Sequence, residues 1–231
     1  MGFLNTIKET ILNLIFPVYC LSCNKNGENL CLECLASSPS AERESAKWIF
    51  PIFDYRHPPI KKAIWLLKYK GKKSLAKVFA EVLYGHVLEE LADLKIMENF
   101  NEPLLIPIPL SRKRLRERGF NQAELICKEL VKLDNLRYSV DVKSNFIFLN
   151  NVLVKPKETE HQARIENRSE RLKNAIGAFA ISPNTKSEKE IKSRNIILID
   201  DVTTTGATLS EAKKILKQAG ARKVIAFTLA H

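Results

Sequence analysis

At 231 residues, 45% of them hydrophobic, the chain has room for one medium domain and a small accessory module. Its 37 basic and 26 acidic residues give a formal charge of +11, which suits phosphate-bearing ligands or a nucleic-acid backbone. No apolar run approaches the length of a membrane span, which argues against insertion into a bilayer.

In chain order, Phe3, Leu4, Ile7, Ile11, Leu14 and Ile15 recur at helical spacing. Lys8 and Glu9 interrupt any signal-peptide core, so this segment reads as an amphipathic helix docked on the body. Cys20, Cys23, Cys31 and Cys34 follow in a C-x2-C-x7-C-x2-C pattern. Each pair can set two thiolates on one metal, and Asn24, Asn26 and Gly27 supply turn residues that fold the pairs together. Disulfides would suit an exported chain, which nothing here suggests, and a redox C-x-x-C would not need a duplicate. The reading is a structural Zn²⁺ bound by four thiolates. Residues 1–46 are then an N-terminal helix and zinc module, and residues 47–231 the main domain.

Past the linker Ser37 to Ser40, an extended segment is expected over Trp48 to Tyr55, with helices over about 59–69 and 74–91 around the basic turn Lys70-Gly71-Lys72-Lys73. The run LLIPIPL at 104–110 reads as a buried strand whose prolines announce a loop. A basic loop, 111–118, then carries Arg112, Lys113, Arg114, Arg116 and Arg118 ahead of a helix over 121–133. Arginine stays charged and grips phosphate with two donors at once, so this loop suits a pyrophosphate. In the helix, Cys127 reads as a small buried apolar residue. Two short strand-like pieces fall within 137–154, and Arg164, Arg168, Arg171 and Lys173 form a third basic cluster. A polar loop is expected over 183–194.

The run NIILIDDVTTTGAT, Asn195 to Thr208, is the most telling. Four apolar residues lead into Asp200 and Asp201, a hydroxyl-rich loop follows, and a helix starts. Two carboxylates can accept from vicinal ribose hydroxyls, while loop N–H groups, threonine hydroxyls and a helix N-terminus suit a phosphate. Thr208 to Glu211 also fits a capping box, and Gly220 stands where a left-handed residue ends the helix. A final strand is expected over 224–230. Alternating strands and helices indicate an α/β fold with a mainly parallel sheet flanked by helices. Ligands of such sheets bind beyond the carboxyl ends of the strands, where the acid pair falls.

The acid–threonine run looks like the PRPP-binding motif of type I phosphoribosyltransferases. Together with the four-cysteine knuckle, KYKG at Lys68 to Gly71, and RLRERGFNQA at Arg114 to Ala123, it resembles the ComF/ComFC competence family. Thr159, Gln162, Arg171, Asn174 and Phe179 fit that family's T-x-x-Q…R…N…F pattern. Lys155-Pro156-Lys157 stands where the family more often shows an arginine-rich stretch, and 137–154 and 182–194 are longer than usual.

The resemblance implies a type I phosphoribosyltransferase fold with a zinc module, in a cytoplasmic protein of DNA uptake that handles incoming single-stranded DNA and meets uptake-machinery proteins. It implies PRPP bound with Mg²⁺. Asp200 and Asp201 would hold the ribose hydroxyls, and Thr203, Thr204, Thr205, Gly206, Ala207 and Thr208 the 5-phosphate. Arg116 and Arg118 would face the pyrophosphate. Lys68, Lys70, Lys72, Arg112 and Arg114 would meet DNA phosphates, with Tyr55, Trp65, Tyr69 or Phe120 available to stack bases. For Trp65 core packing is the favoured reading, and for Tyr69 it stays open. Two readings stay open: a transferase passing phosphoribose to a nitrogenous base or amine in nucleotide metabolism, and a module that binds PRPP without turnover.

Overall fold

The computed structural model describes residues 17–42, 46–137, 144–156, 175–183 and 186–231. The expected N-terminal helix, the third basic cluster, and Thr159, Gln162, Arg171 and Asn174 lie outside these residues. Helix α1 (Leu32–Ala36) belongs to the cysteine knuckle. Strand β1 (Ile49–Phe53), helices α2 (Pro58–Tyr69) and α3 (Ser74–Glu98), strand β2 (Leu104–Pro107) and helices α4 (Arg112–Arg118) and α5 (Gln122–Arg137) follow. Strands β3 (Ile147–Phe148), β4 (Leu153–Val154) and β5 (Ala180–Ile181) precede α6 (Lys186–Ile191). The chain then runs through β6 (Asn195–Val202), α7 (Ala207–Gln218) and β7 (Lys223–Ala230).

Five strands form one parallel sheet in the order β1-β7-β6-β2-β3, and β4 and β5 pair antiparallel beside it. The central strand β6 is apolar from Ile196 to Ile199 because helices cover both faces of a parallel sheet. Side chains alternate between those faces. Ile197 and Ile199 enter one core with Phe79, Leu83, Ile126 and Leu130 of α3 and α5. Ile196 and Leu198 enter the other with Leu209, Ala212 and Leu216 of α7. On the first face Phe227 is fully buried and stacks on Phe50 at 5.0 Å. Phe227→Ala would cost about 3–5 kcal/mol. Pro51 is tolerated because β1 is an edge strand, and Pro107 ends β2.

Connectivity fixes where a ligand can enter. From β2 the chain crosses through α5 to β3 on one side; from β6 it crosses through α7 to β7 on the other. The two crossovers diverge between β2 and β6, which register as Leu104↔Ile196 to Pro107↔Ile199. At such a switch point the loops part and leave a crevice.

Three local expectations change. Residues 112–118 are helical, not a loop: arginine, lysine, leucine and glutamate all favour helix, and the Ser111 hydroxyl caps the first turn by accepting from the Arg114 N–H. Thr208 is not the cap of α7, which starts two residues earlier, from Gly206 at φ +72°. Glu211, freed from a capping box, accepts instead from the Gly177 N–H at 2.8 Å. The polar loop contains the short helix α6, and α7 ends as expected on Gly220, with Gly220 N–H donating to Lys217 O and Ala221 N–H to Leu216 O.

The knuckle is fastened to the body. Leu30 and Leu35 are fully buried in the core that holds Phe53 and Phe79, and Ser40 bridges to Phe53. Cys127 is buried as expected. Trp65 is not a core residue: it is 39% exposed on α2, with Lys62 and Lys70 ammonium groups 4.7 and 5.4 Å from its ring centre.

Candidate functional site

A cleft of about 270 Å³ opens at the switch point. Ile108, Pro109 and Leu110 after β2 form one wall, and Asp200, Asp201, Val202, Thr204 and Thr208 the other. Tyr55, Lys68, Arg114, Arg118, Gln122 and Lys155 complete the lining. The lining thus sets two carboxylates beside two lysines and two arginines, a balance suited to a ligand bearing both hydroxyls and phosphates.

Strand alternation separates the two acids. Strand β6 continues through both, so they point to opposite faces of the sheet. Asp201 is buried on the α2–α5 side, where Lys68 Nζ sits 2.7 Å from its Oδ1 and Gln122 Nε2 donates to its Oδ2. Asp200, half-buried, lies on the α7 side and also borders the hollow formed by residues 202–209. Its Oδ1 accepts from the Asp201 N–H at 2.8 Å. Burial and the neighbouring Asp201 charge raise the Asp200 carboxyl to about 7, against the Asp201 N–H and the Lys68 and Lys155 charges, which lower it.

The loop Thr203 to Gly206 is held at both ends. Thr203 N–H donates to Ala230 O, and His231 Nε2 lies 2.9 Å from Thr204 O. Thr205 Oγ1 accepts from the Ala207 N–H, and Gly206 takes the left-handed turn that starts α7. A Cβ at Gly206 would meet Ile49 Cδ1 at 3.1 Å, so both conformation and space call for glycine. Buried Thr203 Oγ1 has no hydrogen-bond partner among the described residues. The first turn of α7 adds a helix N-terminus, where backbone N–H groups and the helix dipole favour an anion.

The arginine segment acts through helical phase. Arg114 and Arg118, four residues apart on α4, reach the cleft together, whereas Arg116 is exposed on the outer side and donates to Arg112 O at 3.4 Å. The helix therefore puts Arg114, not Arg116, beside Arg118. Arg118 Nη1 donates to Gln122 Oε1 at 2.9 Å, and its guanidinium lies 5.0 Å above the ring of Tyr69. Asn121 starts α5 by accepting from the Ala123 N–H and anchors it by donating to Ile108 O.

Of the lysines expected to meet DNA, Lys70 and Lys72 are exposed. Lys68 turns inward, its side chain only 16% exposed, because the end of α2 aims it at Asp201. Arg112 is exposed, while Arg114 belongs to the cleft. Lys155, half-buried, lines the cleft with its ammonium 5.3 Å from the ring of Phe179; in the sequence it stood only as a departure from an arginine-rich pattern.

The four cysteines converge, with their sulfurs all within 4.8 Å of one another. Cys20 and Cys23 each lie 3.7 Å from Cys31. A tetrahedron of Zn–S bonds of about 2.3 Å has S···S edges of about 3.8 Å, so the spacing fits zinc. Burial raises the Cys20 thiol, but N–H groups of Cys23, Cys31 and Ser22 outweigh it and bring the group down to about 6. Cys31 is raised, and, against the Ser22 hydrogen bond that lowers it, hydrogen bonds shared with Cys31 and Cys23 push Cys34 up to about 12, so without a metal's charge the four thiols do not all ionise together. For Mg²⁺ the carboxylate oxygens of the acid pair are the right hard donors, although Lys68 already occupies Asp201.

Residues 118–231 match the model of the Phosphoribosyl transferase domain. Competence protein F of Haemophilus influenzae is 29% identical over 222 residues, covering 93% of this chain and 85% of that protein. Competence protein ComFC of Streptococcus pneumoniae is 36% identical over 162 residues, covering 70% of this chain and 59% of that one. DNA utilization protein YhgH of Escherichia coli (strain K12) is 25% identical, over 84% of this chain and 74% of its own. The hypoxanthine-guanine phosphoribosyltransferase of Schistosoma mansoni, solved in complex with IMP, aligns at 12% identity and a TM-score of 0.36, over 68% of this chain and 55% of that one. The chain is thus a homologue of competence proteins F and ComFC, and its parallel sheet flanked by helices, with the domain match over residues 118–231, is a type I phosphoribosyltransferase fold.

Proposed function

We propose that the protein binds PRPP with Mg²⁺ in the cleft between β2 and β6 and serves DNA uptake in the cytoplasm, where it handles incoming single-stranded DNA. The observation that carries this reading is the convergence of the acid pair and the Thr203–Gly206 loop with Arg114, Arg118 and Lys155 on one cleft. In this reading Asp200 meets the ribose hydroxyls, the loop and the start of α7 take the 5-phosphate, and Arg114 and Arg118 face the pyrophosphate. Asp200 would help to hold Mg²⁺, which would supply positive charge to offset that of the ligand's oxygens. The names of the competence and DNA-utilization relatives support the role in uptake, with uptake-machinery proteins as partners.

For DNA, the exposed Lys62, Lys70, Lys72 and Arg112 are the phosphate contacts, and Trp65 and Tyr69, whose rings lie 6.3 Å apart on α2, are the stacking platform. Residues 1–46, with zinc on the knuckle, are a module that props the main domain, residues 47–231.

A second reading is favoured by the cationic cleft: the site turns over. A nitrogen nucleophile would attack C1 of PRPP as the C1–O bond breaks and pyrophosphate leaves with the bonding pair, so positioning and charge stabilisation would dominate. The deciding experiment is pyrophosphate release from PRPP across a nucleobase and amine panel, with and without single-stranded DNA, beside direct PRPP binding. Tight binding without release supports a binding module. Release that Asp200→Asn with Asp201→Asn abolishes supports the transferase. Absence of PRPP binding overturns both.

A further inference from the structure

The two acids are adjacent in sequence but differ in what holds them. Asp201 has both oxygens engaged, by Lys68 and by Gln122, in a pair whose side chains are 16% and 6% exposed. Among the described residues none forms an ion pair with Asp200, which opens on the cleft and on the hollow before α7. Two routes from the end of α2 reach Asp201: Lys68 directly, and Tyr69 through Arg118 and Gln122.

We propose that Lys68 is an internal counter-cation of Asp201: it clamps that acid as a positioning group, leaves Asp200 to meet the ligand, and must leave Asp201 before a divalent cation can engage that carboxylate. This rests on the reading of the cleft as a PRPP–Mg²⁺ site. A desolvated ammonium at 2.7 Å supplies one positive charge where a metal would supply two. Metal and Lys68 therefore compete for one carboxylate, and Lys68 sets the cation concentration at which Asp201 is recruited. Once released, its ammonium stays at the cleft wall, within reach of an anionic ligand group.

The test uses the full chain and Mn²⁺ alone, read by electron paramagnetic resonance. Lys68→Met keeps the stem and removes the charge; Lys155→Met removes an equal charge from the same cleft without touching Asp201. Lys68→Met is expected to tighten Mn²⁺ binding about tenfold or more, since an adjacent opposite charge is worth that much to a carboxylate. Lys155→Met should change it much less, Lys68→Arg should restore the weaker binding, and adding Asp201→Asn to Lys68→Met should cancel the gain. Equal effects of the two lysine changes, or no Mn²⁺ binding in any form, overturn the proposal. A second readout needs no variant: the Lys68 ammonium, followed by ¹⁵N NMR, should lose its carboxylate coupling as Mg²⁺ saturates the unaltered chain. A coupling that persists at saturation overturns the proposal, even where Lys68→Met fails to fold. PRPP titration separates the two ideas. If PRPP does not bind while the Mn²⁺ pattern holds, the function reading fails and the counter-cation stands; if PRPP binds while Lys68→Met and Lys155→Met behave alike, only the counter-cation fails.

Discussion

The segments after β6 and after β2 face the same cleft by different means. After β6 the anion-directed groups belong largely to the backbone: a left-handed Gly206, a loop tied to Ala230 and His231, and the first turn of α7. After β2 they are side chains, Arg114 and Arg118, brought together by one turn of α4. A backbone cradle tolerates changes to its hydroxyls but not to its dihedral angles. A side-chain cradle tolerates small backbone shifts but fails with the loss of a guanidinium.

The comparison breaks most visibly at Gly206. Gly206→Val forces a β-branched residue into a left-handed conformation and against Ile49, and should weaken PRPP binding by a hundredfold or more, on the order expected for a misplaced ligand group. Thr204→Val, measured in the same calorimetric series, should cost about tenfold or less, as for one hydrogen bond; equal losses would mean that the hydroxyls, not the backbone, hold the phosphate. Next in size, Arg114→Ala with Arg118→Ala should lower PRPP affinity about thirty- to a hundredfold, while Arg116→Ala stays within about threefold. The reverse order would undo the helical-phase argument for α4.

Asp200 supplies a smaller, pH-dependent effect. Its folded value of about 7 lies above the ordinary carboxylate range, so the folded chain binds the extra proton and this group's contribution to stability falls as pH rises from about 4 to 7. Asp200→Asn should therefore stabilise the protein at pH 8, with the gain fading towards pH 4 in thermal melts. Affinity for PRPP with Mg²⁺ should rise about tenfold from pH 6 to pH 8 as Asp200 ionises, and flatten in Asp200→Asn. Smallest is the outer face: Arg112→Ala should lower the slope of log affinity for single-stranded DNA against log salt by about one and leave PRPP binding unchanged.

Elements driven by local chemistry were legible in the sequence. Four consecutive apolar residues marked β6, prolines marked the end of β2, and cysteine spacing marked the knuckle. What stayed hidden depended on phase and on partners distant in sequence. The acids looked like one feature because they are neighbours, yet strand alternation sends them to opposite faces of the sheet. Arg116 and Arg114 could be ranked only once residues 112–118 were known to be helical. Lys68 reads in the sequence as a DNA-phosphate contact beside Lys70 and Lys72; its partner, Asp201, is 133 positions away. Lys155 lay in a segment with no regular pattern, so nothing local marked it as part of the cleft.

The burial of Leu30 and Leu35 in the same core as Phe53 and Phe79 reaches beyond packing. A metal that binds only the native knuckle draws on the folding equilibrium of the entire chain, contributing about 2.7 kcal/mol when free metal stands at a hundred times its dissociation constant. If the knuckle holds zinc, its release and domain melting would be a single cooperative event. A chelator would lower the melting temperature of the remote cleft as well as that of the knuckle, and the supply of zinc in the cell would set how much of the protein survives proteolysis.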